Sequence, residues 1–336
     1  MHKSGFVNII GNPNVGKSTL MNALVGEKLS IITSKAQTTR HRILGIVNGD
    51  DFQIVFSDTP GILKPCYKLQ ESMMNFVRGA LSDADVLLYV TDTVERDDER
   101  AAEIIDRIRQ SGVPTLVVVN KIDLTTQEAL EALVEKWRAT LPDAEIIGRI
   151  RESGIPTVVV INKIDLSTPE ALDALVDKWR QELPEAQIVP ASAKENFNIE
   201  GLFKTILALL PEGPAFYPKE TLTDKTLRFF ASEIIREKIL KFYDKEIPYC
   251  CEIEIDSYRE EPTIDRIAAT IYVARDSQKG ILIGHKGEKL KRVGQTARED
   301  MEEFLGKKVF LQLFVKVSDD WRNNERQLRR FGYELE

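Results

Sequence analysis

The sequence predicts an α/β fold, a domain with a mostly parallel sheet, followed by a smaller α+β domain. Two patterns carry this prediction. A Gly-rich turn at residues 11–18 joins an apolar run to a helix-like pattern, and further apolar runs follow at spacings typical of strands separated by helices. After a Pro-rich stretch at 211–218, apolar residues alternate as they do in strands of an open sheet. The length of 336 residues suits two domains.

Composition places the chain among globular proteins of a reducing compartment. The sequence is 43% hydrophobic and 29% charged, and it contains no long uncharged apolar run, so we expect no transmembrane span. Its three cysteines have neither metal-ligand spacing nor the pattern of a disulfide framework, which favours the cytoplasm. The net charge of −7 argues against a protein that coats nucleic acid with its whole surface.

Residues 11–18 have the spacing G-x-x-x-x-G-K-S, between the strand-like run 6–10 and a helix that we expect to reach Val25. Gly11 and Gly16 permit a tight turn whose N–H groups face phosphate oxygens. Lys17 can reach the β and γ phosphates, and the Ser18 hydroxyl can ligate Mg²⁺. The predicted nucleotide-binding residues here are Gly11, Asn12, Pro13, Asn14, Val15, Gly16, Lys17, Ser18 and Thr19.

A polar segment, Ser30 to His41, lies between this helix and the next strand and contains Gln37-Thr38-Thr39-Arg40. We interpret it as a candidate mobile loop, in which Thr39 completes the Mg²⁺ shell when a γ phosphate is present. A plain solvated connection is the alternative interpretation.

The apolar strand Phe52 to Ser57 ends in Asp58-Thr59-Pro60-Gly61. An aspartate at the carboxyl end of a strand beside a phosphate loop can hold Mg²⁺ through water. The N–H of Gly61 can donate to the γ phosphate. All four residues are therefore predicted to bind nucleotide, and Asp58 is predicted to bind metal together with Ser18 and Thr39.

Two later strands end in residues suited to reading a guanine base. The run Val113 to Val119 leads into Asn120-Lys121-Ile122-Asp123, whose aspartate can accept hydrogen bonds from guanine N1 and N2. The run Ile188 to Pro190 leads into Ala191-Ser192-Ala193-Lys194, where a backbone N–H can bind guanine O6. The predicted contacts are Asn120, Lys121, Asp123, Ser192, Ala193 and Lys194.

Residues 102–143 recur as residues 144–185, with about 30 identities over a period of 42, as in an in-frame tandem duplication. The guanine-reading motif therefore occurs again as Asn162-Lys163-Ile164-Asp165, and Asn162, Lys163 and Asp165 are equal candidates. The strand neighbouring Ser192 is mildly favoured to carry the working copy. Either one apolar strand is extruded, or both enter the sheet and the sheet gains a strand.

Domain boundaries are predicted at 1–212 for the first domain, 213–222 for a linker and 223–336 for the second domain. The second domain reads as helix, strand, strand, helix, Gly284-His285-Lys286-Gly287, helix, strand. The turn G-x-x-G lets a nucleic-acid backbone approach closely, and this order resembles a type II KH domain. The predicted RNA-binding residues are Gly280, Ile283, Gly284, His285, Lys286, Gly287, Lys289, Lys291 and Arg292, which form a local basic patch.

Taken in order, G-x-x-x-x-G-K-S, Q-T-T-R, D-T-P-G, N-K-I-D and S-A-K look like the motifs of a P-loop GTPase domain of the translation-factor class. With Lys35 to Arg42, they resemble the Era family of bacterial ribosome-assembly GTPases over nearly the whole chain. This resemblance implies GTP and GDP as ligands, Mg²⁺ as cofactor, and Lys17, Thr39 and Gly61 as stabilisers of the transition state. Asn14 matches a position that helps some relatives bind K⁺. Ile62 replaces the glutamine of Ras-like enzymes, so intrinsic hydrolysis is expected to be slow.

The resemblance also implies partners and a location. We expect the 3′ end of small-subunit ribosomal RNA and the small ribosomal subunit as partners, a monomer, and a cytoplasmic protein with peripheral attachment to the inner face of the cell membrane. The predicted function is a GTP-hydrolysing switch that assists small-subunit maturation. Two alternatives are an RNA-binding protein whose GTPase domain is impaired by the duplication, and a membrane-surface GTPase, for which no convincing amphipathic helix is found.

Overall fold

The computed structural model describes residues 1–92, 107–108, 110–120, 157–161, 187–190 and 199–335. Its contacts divide the chain into two compact units. The first comprises residues 1–30, 42–63 and 76–224, and the second comprises residues 31–41, 64–75 and 225–336. None of the helices in the described ranges has the length and hydropathy needed to cross a bilayer.

The described strands of the first unit form a seven-stranded sheet in the order β2-β3-β1-β4-β5-β6-β7. Only β2, at one edge, runs antiparallel to its neighbour, and the other pairs are parallel. The strands are β1 (Lys3–Gly11), β2 (Ile43–Asn48), β3 (Phe52–Asp58), β4 (Val86–Asp92), β5 (Thr115–Asn120), β6 (Thr157–Ile161) and β7 (Gln187–Pro190). The helices of this part of the chain are α1 (Lys17–Val25), α2 (Lys68–Ser82) and α3 (Ile199–Leu209), of which α2 belongs to the second unit up to Asn75.

Near-continuous apolar runs build the centre of this sheet, as parallel strands covered on both faces require. Val7, Ile9 and Ile10 of β1 are fully buried, and so are Ile54 and Phe56 of β3. Since β1 and β3 are parallel, with Ile9 opposite Asp58, their carboxyl ends meet at one edge of the sheet. The predicted α/β fold with a mostly parallel sheet is confirmed.

Both duplicated strands enter the sheet, and neither is extruded. β5 pairs with β4 on one side and with β6 on the other, and β6 in turn pairs with β7. The register of β5 with β6 places Thr115 opposite Thr157, so each residue faces its own repeat. Two apolar strands of equal pattern fit a parallel sheet equally well, and the sheet has therefore gained a strand. The second copy adjoins β7, and which of the two copies reads guanine stays a prediction.

The second unit contains a three-stranded sheet in the order β10-β9-β8, with helices packed on it. β9 (Ile264–Val273) is antiparallel to β8 (Cys251–Glu260) and parallel to β10 (Lys308–Val317). The helices are α4 (Leu227–Phe242), α5 (Ile247–Cys250), α6 (Asp276–Ile283), α7 (Glu288–Leu305) and α8 (Glu325–Arg330). A single apolar cluster, including Ile235, Ile271 and Val293, joins α4, the sheet and α7. The predicted smaller α+β domain is confirmed.

The predicted linker packs along the edge of the first unit. The Gln53 side-chain oxygen accepts the N–H groups of Phe216 and Tyr217 at 2.6 and 2.9 Å, and Ile46 N–H donates to the Leu222 carbonyl at 2.7 Å. These bonds continue through residues predicted as a connection at 213–222, and the first unit extends to Asp224. The edge strand β2 is thereby covered, which protects its open hydrogen-bonding groups.

Candidate nucleotide site and nucleic-acid surface

The phosphate loop leads from the end of β1 into α1, as its spacing predicts. Gly11 has φ +148° and Gly16 has φ +101°, conformations that favour glycine. A Cβ at Gly11 would lie 2.1 Å from the Val90 carbonyl oxygen, so the loop passes too close to β4 for any side chain there. No side chain caps the N-terminus of α1, which leaves its dipole directed into the loop.

Lys17 is 6% exposed, and its ammonium donates to the carbonyl oxygens of Gly11 and Asn12 at 3.0 and 2.9 Å. Burial lowers the pKa of Lys17 to about 8, an effect that the nearby Asp58 carboxylate partly offsets. A buried cation held by neutral acceptors is stabilised by an incoming anion. The loop therefore fits a phosphate group.

Ser18 and Asp58 come together from α1 and β3. The Ser18 hydroxyl donates to the Asp58 carboxylate at 2.7 Å, at the edge where β1 and β3 end. A hydroxyl and a carboxylate oxygen are hard ligands of the kind that Mg²⁺ prefers, with phosphate oxygens and water completing the shell. These two predicted metal ligands thus fit Mg²⁺.

The segment after Asp58 packs on the phosphate loop. Thr59 donates its hydroxyl to the Ile9 carbonyl at 2.7 Å, and Ile62 N–H donates to the Gly11 carbonyl at 3.2 Å. A Cβ at Gly61 would meet Pro13 Cα at 2.7 Å, so the approach of the two segments requires glycine. The Ile62 side chain is 5% exposed and offers no polar group to a water molecule.

Thr39, the third predicted metal ligand, belongs to the second unit rather than to the first. It lies in a segment that was predicted as a mobile or solvated loop, yet Thr38 and Thr39 are each 8% exposed and Arg40 is 1% exposed. Within the second unit, Arg40 forms an ion pair with Glu252 at 3.0 Å. Sequence reasoning missed this partner, because the two residues are 212 positions apart and no local pattern connects them.

The guanine-reading residues lie mostly outside the described ranges. Asn120 is the last residue of β5. Lys121, Asp123, Asn162, Lys163, Asp165, Ser192, Ala193 and Lys194 fall outside the described residues. Their assignment to guanine stays a prediction.

In the second unit, the G-x-x-G turn connects α6 to α7. Gly284, Lys286 and Gly287 have φ of +74°, +48° and +81°, so the turn is built from left-handed residues. A Cβ at Gly287 would meet nothing within 4 Å, which leaves room for a backbone to approach from outside. His285 and Lys286 at its tip are exposed.

The predicted basic patch continues along α7. Lys289, Lys291 and Arg292 are exposed, whereas Ile283 is half-buried just before the turn. The Arg292 guanidinium lies 4.3 Å from the centre of the Phe242 ring, and the Lys289 ammonium lies 5.9 Å from that of Tyr243. These contacts, with the last residue of α4 and the residue after it, hold two long side chains beside the turn. The patch suits the phosphates of a single-stranded nucleic acid.

Models of known protein families match parts of both units. Residues 6–121 match the family model of the 50S ribosome-binding GTPase, and residues 246–322 match that of the KH domain. Residues 142–212 match the model of the elongation factor Tu GTP-binding domain, so the two GTPase matches lie on either side of residues 122–141, within the duplicated region.

Two curated relatives match the chain over almost its full length. GTPase Era of Alkaliphilus metalliredigens is 41% identical over 335 residues, which cover 99% of each chain. GTPase Era of Staphylococcus haemolyticus is 40% identical over 336 residues, covering 99% of this chain and 97% of the relative.

Two solved structures are similar in fold and sequence, each with a TM-score of 0.78 and 37% identity. One is Era in complex with MgGDPNP and nucleotides 1506–1542 of 16S ribosomal RNA, covered over 100% of both chains. The other is an Aquifex aeolicus Era variant bound to GDP·AlF4⁻, covering 99% of this chain and 100% of that one. Since both domains, their order and their motifs agree over the full length, this chain belongs to the Era family of GTPases.

Proposed function

We propose that this chain binds and hydrolyses GTP, binds the 3′ end of small-subunit ribosomal RNA, and assists maturation of the small ribosomal subunit. The observation that carries the proposal is the buried Lys17 beside the bonded pair Ser18 and Asp58. It is supported by the similar Era structures, which hold a GTP analogue with Mg²⁺ and ribosomal RNA, or GDP·AlF4⁻.

Each residue of the first domain has a proposed role in hydrolysis. Lys17 holds the β and γ phosphates, and the Gly61 N–H donates to the γ phosphate as negative charge develops. Ser18, Thr39 and Asp58 hold Mg²⁺, the last through water. Mg²⁺ neutralises the charge that develops on the phosphate oxygens. Because Ile62 is apolar and buried, no side chain at that position orients the water, and intrinsic turnover is slow.

Guanine recognition is proposed for one of the two N-K-I-D copies together with Ser192, Ala193 and Lys194. We further propose that Asn14 helps to bind K⁺ near the phosphates. Equal rates of GTP hydrolysis in Na⁺ and in K⁺ would contradict this role. We also propose a monomeric cytoplasmic protein with peripheral attachment to the inner membrane face, which the absence of a disulfide pattern and the family resemblance support.

The nucleotide part is tested by measuring GTP and ATP affinity of the purified chain, of Asp123→Asn and of Asp165→Asn. We expect GTP to bind and ATP not to bind, and only one variant to lose GTP affinity. That variant identifies the copy that reads guanine. A parent chain without GTP affinity would overturn the proposed switch and leave RNA binding alone.

The RNA part is tested by titrating an oligonucleotide of the 3′ end of 16S ribosomal RNA at several salt concentrations. Lys286→Gln should weaken binding and reduce the salt slope by about 0.7, as the loss of one phosphate contact predicts. Lys204→Gln is the matched control, because Lys204 is exposed on α3 and pairs with Glu200. Equal effects of the two variants would contradict the assignment of the patch.

A further inference from the structure

Strand β10 presents different side chains to the two faces of the sheet in the second unit. Its odd-numbered residues, 309–317, pack with side chains of α4 and α7 in the apolar core. Helix α7 passes close over this side, since a Cβ added at Gly294 would lie 3.3 Å from Leu313 Cδ1. Because successive side chains of a strand point to opposite faces, the even-numbered residues lie on the face away from these helices.

The even-numbered residues of β10 form a symmetrical pattern of cations, aromatic rings and one amide. In chain order they are Lys308, Phe310, Gln312, Phe314 and Lys316, and all five are exposed. The two rings are 42% and 50% exposed, which is unusual for phenylalanine in a strand. They are four residues apart, or about 13 Å along the strand, with the amide between them. The strand contains no acidic residue.

The C-terminal residues cover another part of the same face. Arg330 pairs with Glu254 of β8 at 2.6 Å, and the Phe331 ring lies 5.4 Å from that of Tyr272 in β9. Tyr272 is directly opposite Lys316 in the register of β9 with β10. The exposed rings of β10 therefore lie beside this cover, at the edge of the sheet.

Cations extend from these rings across the sheet. Arg266 of β9 is opposite Phe310, and its guanidinium lies 5.4 Å from the centre of that ring. Arg259 of β8 is in turn opposite Arg266. Like charges directly opposite each other destabilise a sheet, so this row suits an anion. The pair of Arg266 with Glu261 at 3.0 Å is exposed on both sides, so its exchange for another anion costs little.

The charges of β10 disfavour a second copy of the chain as the partner of this face. β10 is an edge strand, and antiparallel pairing of two copies about Gln312 would place Lys308 of one copy opposite Lys316 of the other. Lysine on an edge strand opposes such pairing. The same two lysines attract phosphate groups.

The aromatic rings and the amide suit the bases of a single strand. Aromatic side chains on an open sheet face stack on bases in RNA-binding sheets, and stacking tolerates any base because each has a π face. The Gln312 amide can both donate to and accept from a base edge.

We propose that the outer face of β10 is a second surface for single-stranded RNA. Phe310 and Phe314 stack on bases, Gln312 hydrogen-bonds the edge of a base between them, and Lys308 and Lys316 contact phosphates. This inference rests on the proposed RNA-binding function and extends it. The surface lies on the other side of the sheet from α7, whose basic residues continue the G-x-x-G patch. An RNA that reaches both surfaces must therefore pass the edge formed by β10.

The experiment measures the affinity of the full chain for two oligonucleotides of the 3′ end of 16S ribosomal RNA by fluorescence anisotropy. One has about four nucleotides, the length that a KH groove holds. The other has about twelve, within the site sizes of surfaces that bind single strands. Phe314→Ala should weaken binding of the long RNA about tenfold, as expected for one lost base stack. It should leave the affinity for the short RNA unchanged.

Two further substitutions at the same position separate stacking from apolar contact and from a folding defect. Phe314→Trp keeps an aromatic ring and should retain the affinity for the long RNA. Phe314→Leu keeps an apolar side chain without a ring and should weaken binding as much as Phe314→Ala. Lys316→Gln should reduce the salt slope for the long RNA by about 0.7.

Phe304→Ala is the matched control. Phe304 is 45% exposed on α7, and its ring lies 5.3 Å from that of Phe230. This variant removes an equally exposed ring from the same unit, and it should leave both RNA affinities unchanged. Equal losses in Phe304→Ala and Phe314→Ala would overturn the inference.

Other results would also overturn the inference. They are an unchanged affinity of Phe314→Ala for the long RNA, equal losses for the two oligonucleotides, and full binding by Phe314→Leu. A dimer of the parent chain in sedimentation that Phe314→Ala abolishes would assign the face to a second copy instead. A parent chain that binds neither oligonucleotide would contradict the proposed RNA-binding function itself, so the two failures are distinguishable.

Discussion

At two positions of the nucleotide site, close contacts with neighbouring residues leave no space for a side chain. Gly11 combines a φ of +148° with a backbone that passes against the Val90 carbonyl oxygen. Gly61 approaches Pro13 in the same way. Burial lowers the pKa of Lys17 to about 8. At this scale the phosphate loop is close-packed against β4 and against the segment after Asp58.

Gly11→Ala should lower the free energy of unfolding by about 2–4 kcal/mol, because it adds both a steric overlap and a strained φ. Gly79→Ala is the matched control, since a Cβ at Gly79 in α2 would meet nothing within 4 Å. It should raise the free energy of unfolding by about 0.5–1 kcal/mol. Urea unfolding of both variants checks this, and equal stability of Gly11→Ala and the parent would contradict it.

Glu302 predicts a pH dependence of stability. Its carboxylate accepts the Val309 N–H at 3.1 Å and pairs with Arg298 and Lys308, and these contacts, the Val309 bond foremost, lower the pKa of Glu302 to about 2. A carboxyl with a depressed pKa in the folded state stabilises above its unfolded pKa of about 4.5, and that contribution is lost as the pH falls towards 2.

Glu302→Gln should therefore lose less stability than the parent between pH 6 and pH 3 in denaturant titrations. The exposed neighbour Glu303 supplies the control, since Glu303→Gln should follow the parent over that range. Parallel curves for Glu302→Gln and the parent would refute the assigned contribution.

At the scale of elements, the duplication adds a strand, and the pairs from β4 to β7 are all parallel. β5 and β6 differ by the repeat period of 42 residues and lie directly opposite each other. β6 pairs with β7. Because β5 is an apolar strand of equal pattern, we expect that it could pair with β7 as well. The extra unit is therefore tolerated in the middle of a parallel sheet.

Deleting residues 144–185 should give a folded chain with a six-stranded sheet, in which β5 takes over the pairing of β6 with β7. GTP affinity should be at least that of the parent, because a single guanine-reading motif remains beside the strand that leads to Ser192. Deleting residues 102–143 should give the same result. Cooperative unfolding and GTP titration check both, and a failure of both deletions to fold would exclude this account.

At the scale of the whole molecule, each unit has its own core. Two of the three cysteines lie in the core of the second unit. Cys66 is exposed, whereas Cys250 and Cys251 are buried in the second unit. Burial raises the pKa of the Cys250 thiol to about 11 and that of Cys251 to about 12. Both groups are therefore held as unreactive thiols in the folded state.

Thiol labelling at pH 8 should modify one cysteine rapidly in the native chain and three in denaturant. The rate at which the second and third react measures opening of the second unit. Rapid labelling of more than one cysteine without denaturant would show that the core around α5 and β8 is not closed. Cys66→Ser provides the control, because it should remove the rapid phase alone.

The sequence by itself predicted Ser18 and Asp58 as metal ligands, and it determined the two domains, the phosphate loop and the G-x-x-G turn. These features are local, since a turn, a helix start and an apolar strand each follow from neighbouring residues. Tertiary structure alone decided that both repeats enter the sheet, that the linker packs along β2, and that residues 31–41 belong to the second unit. Such outcomes depend on pairings like Arg40 with Glu252, which join residues distant in sequence, and no local pattern encodes them.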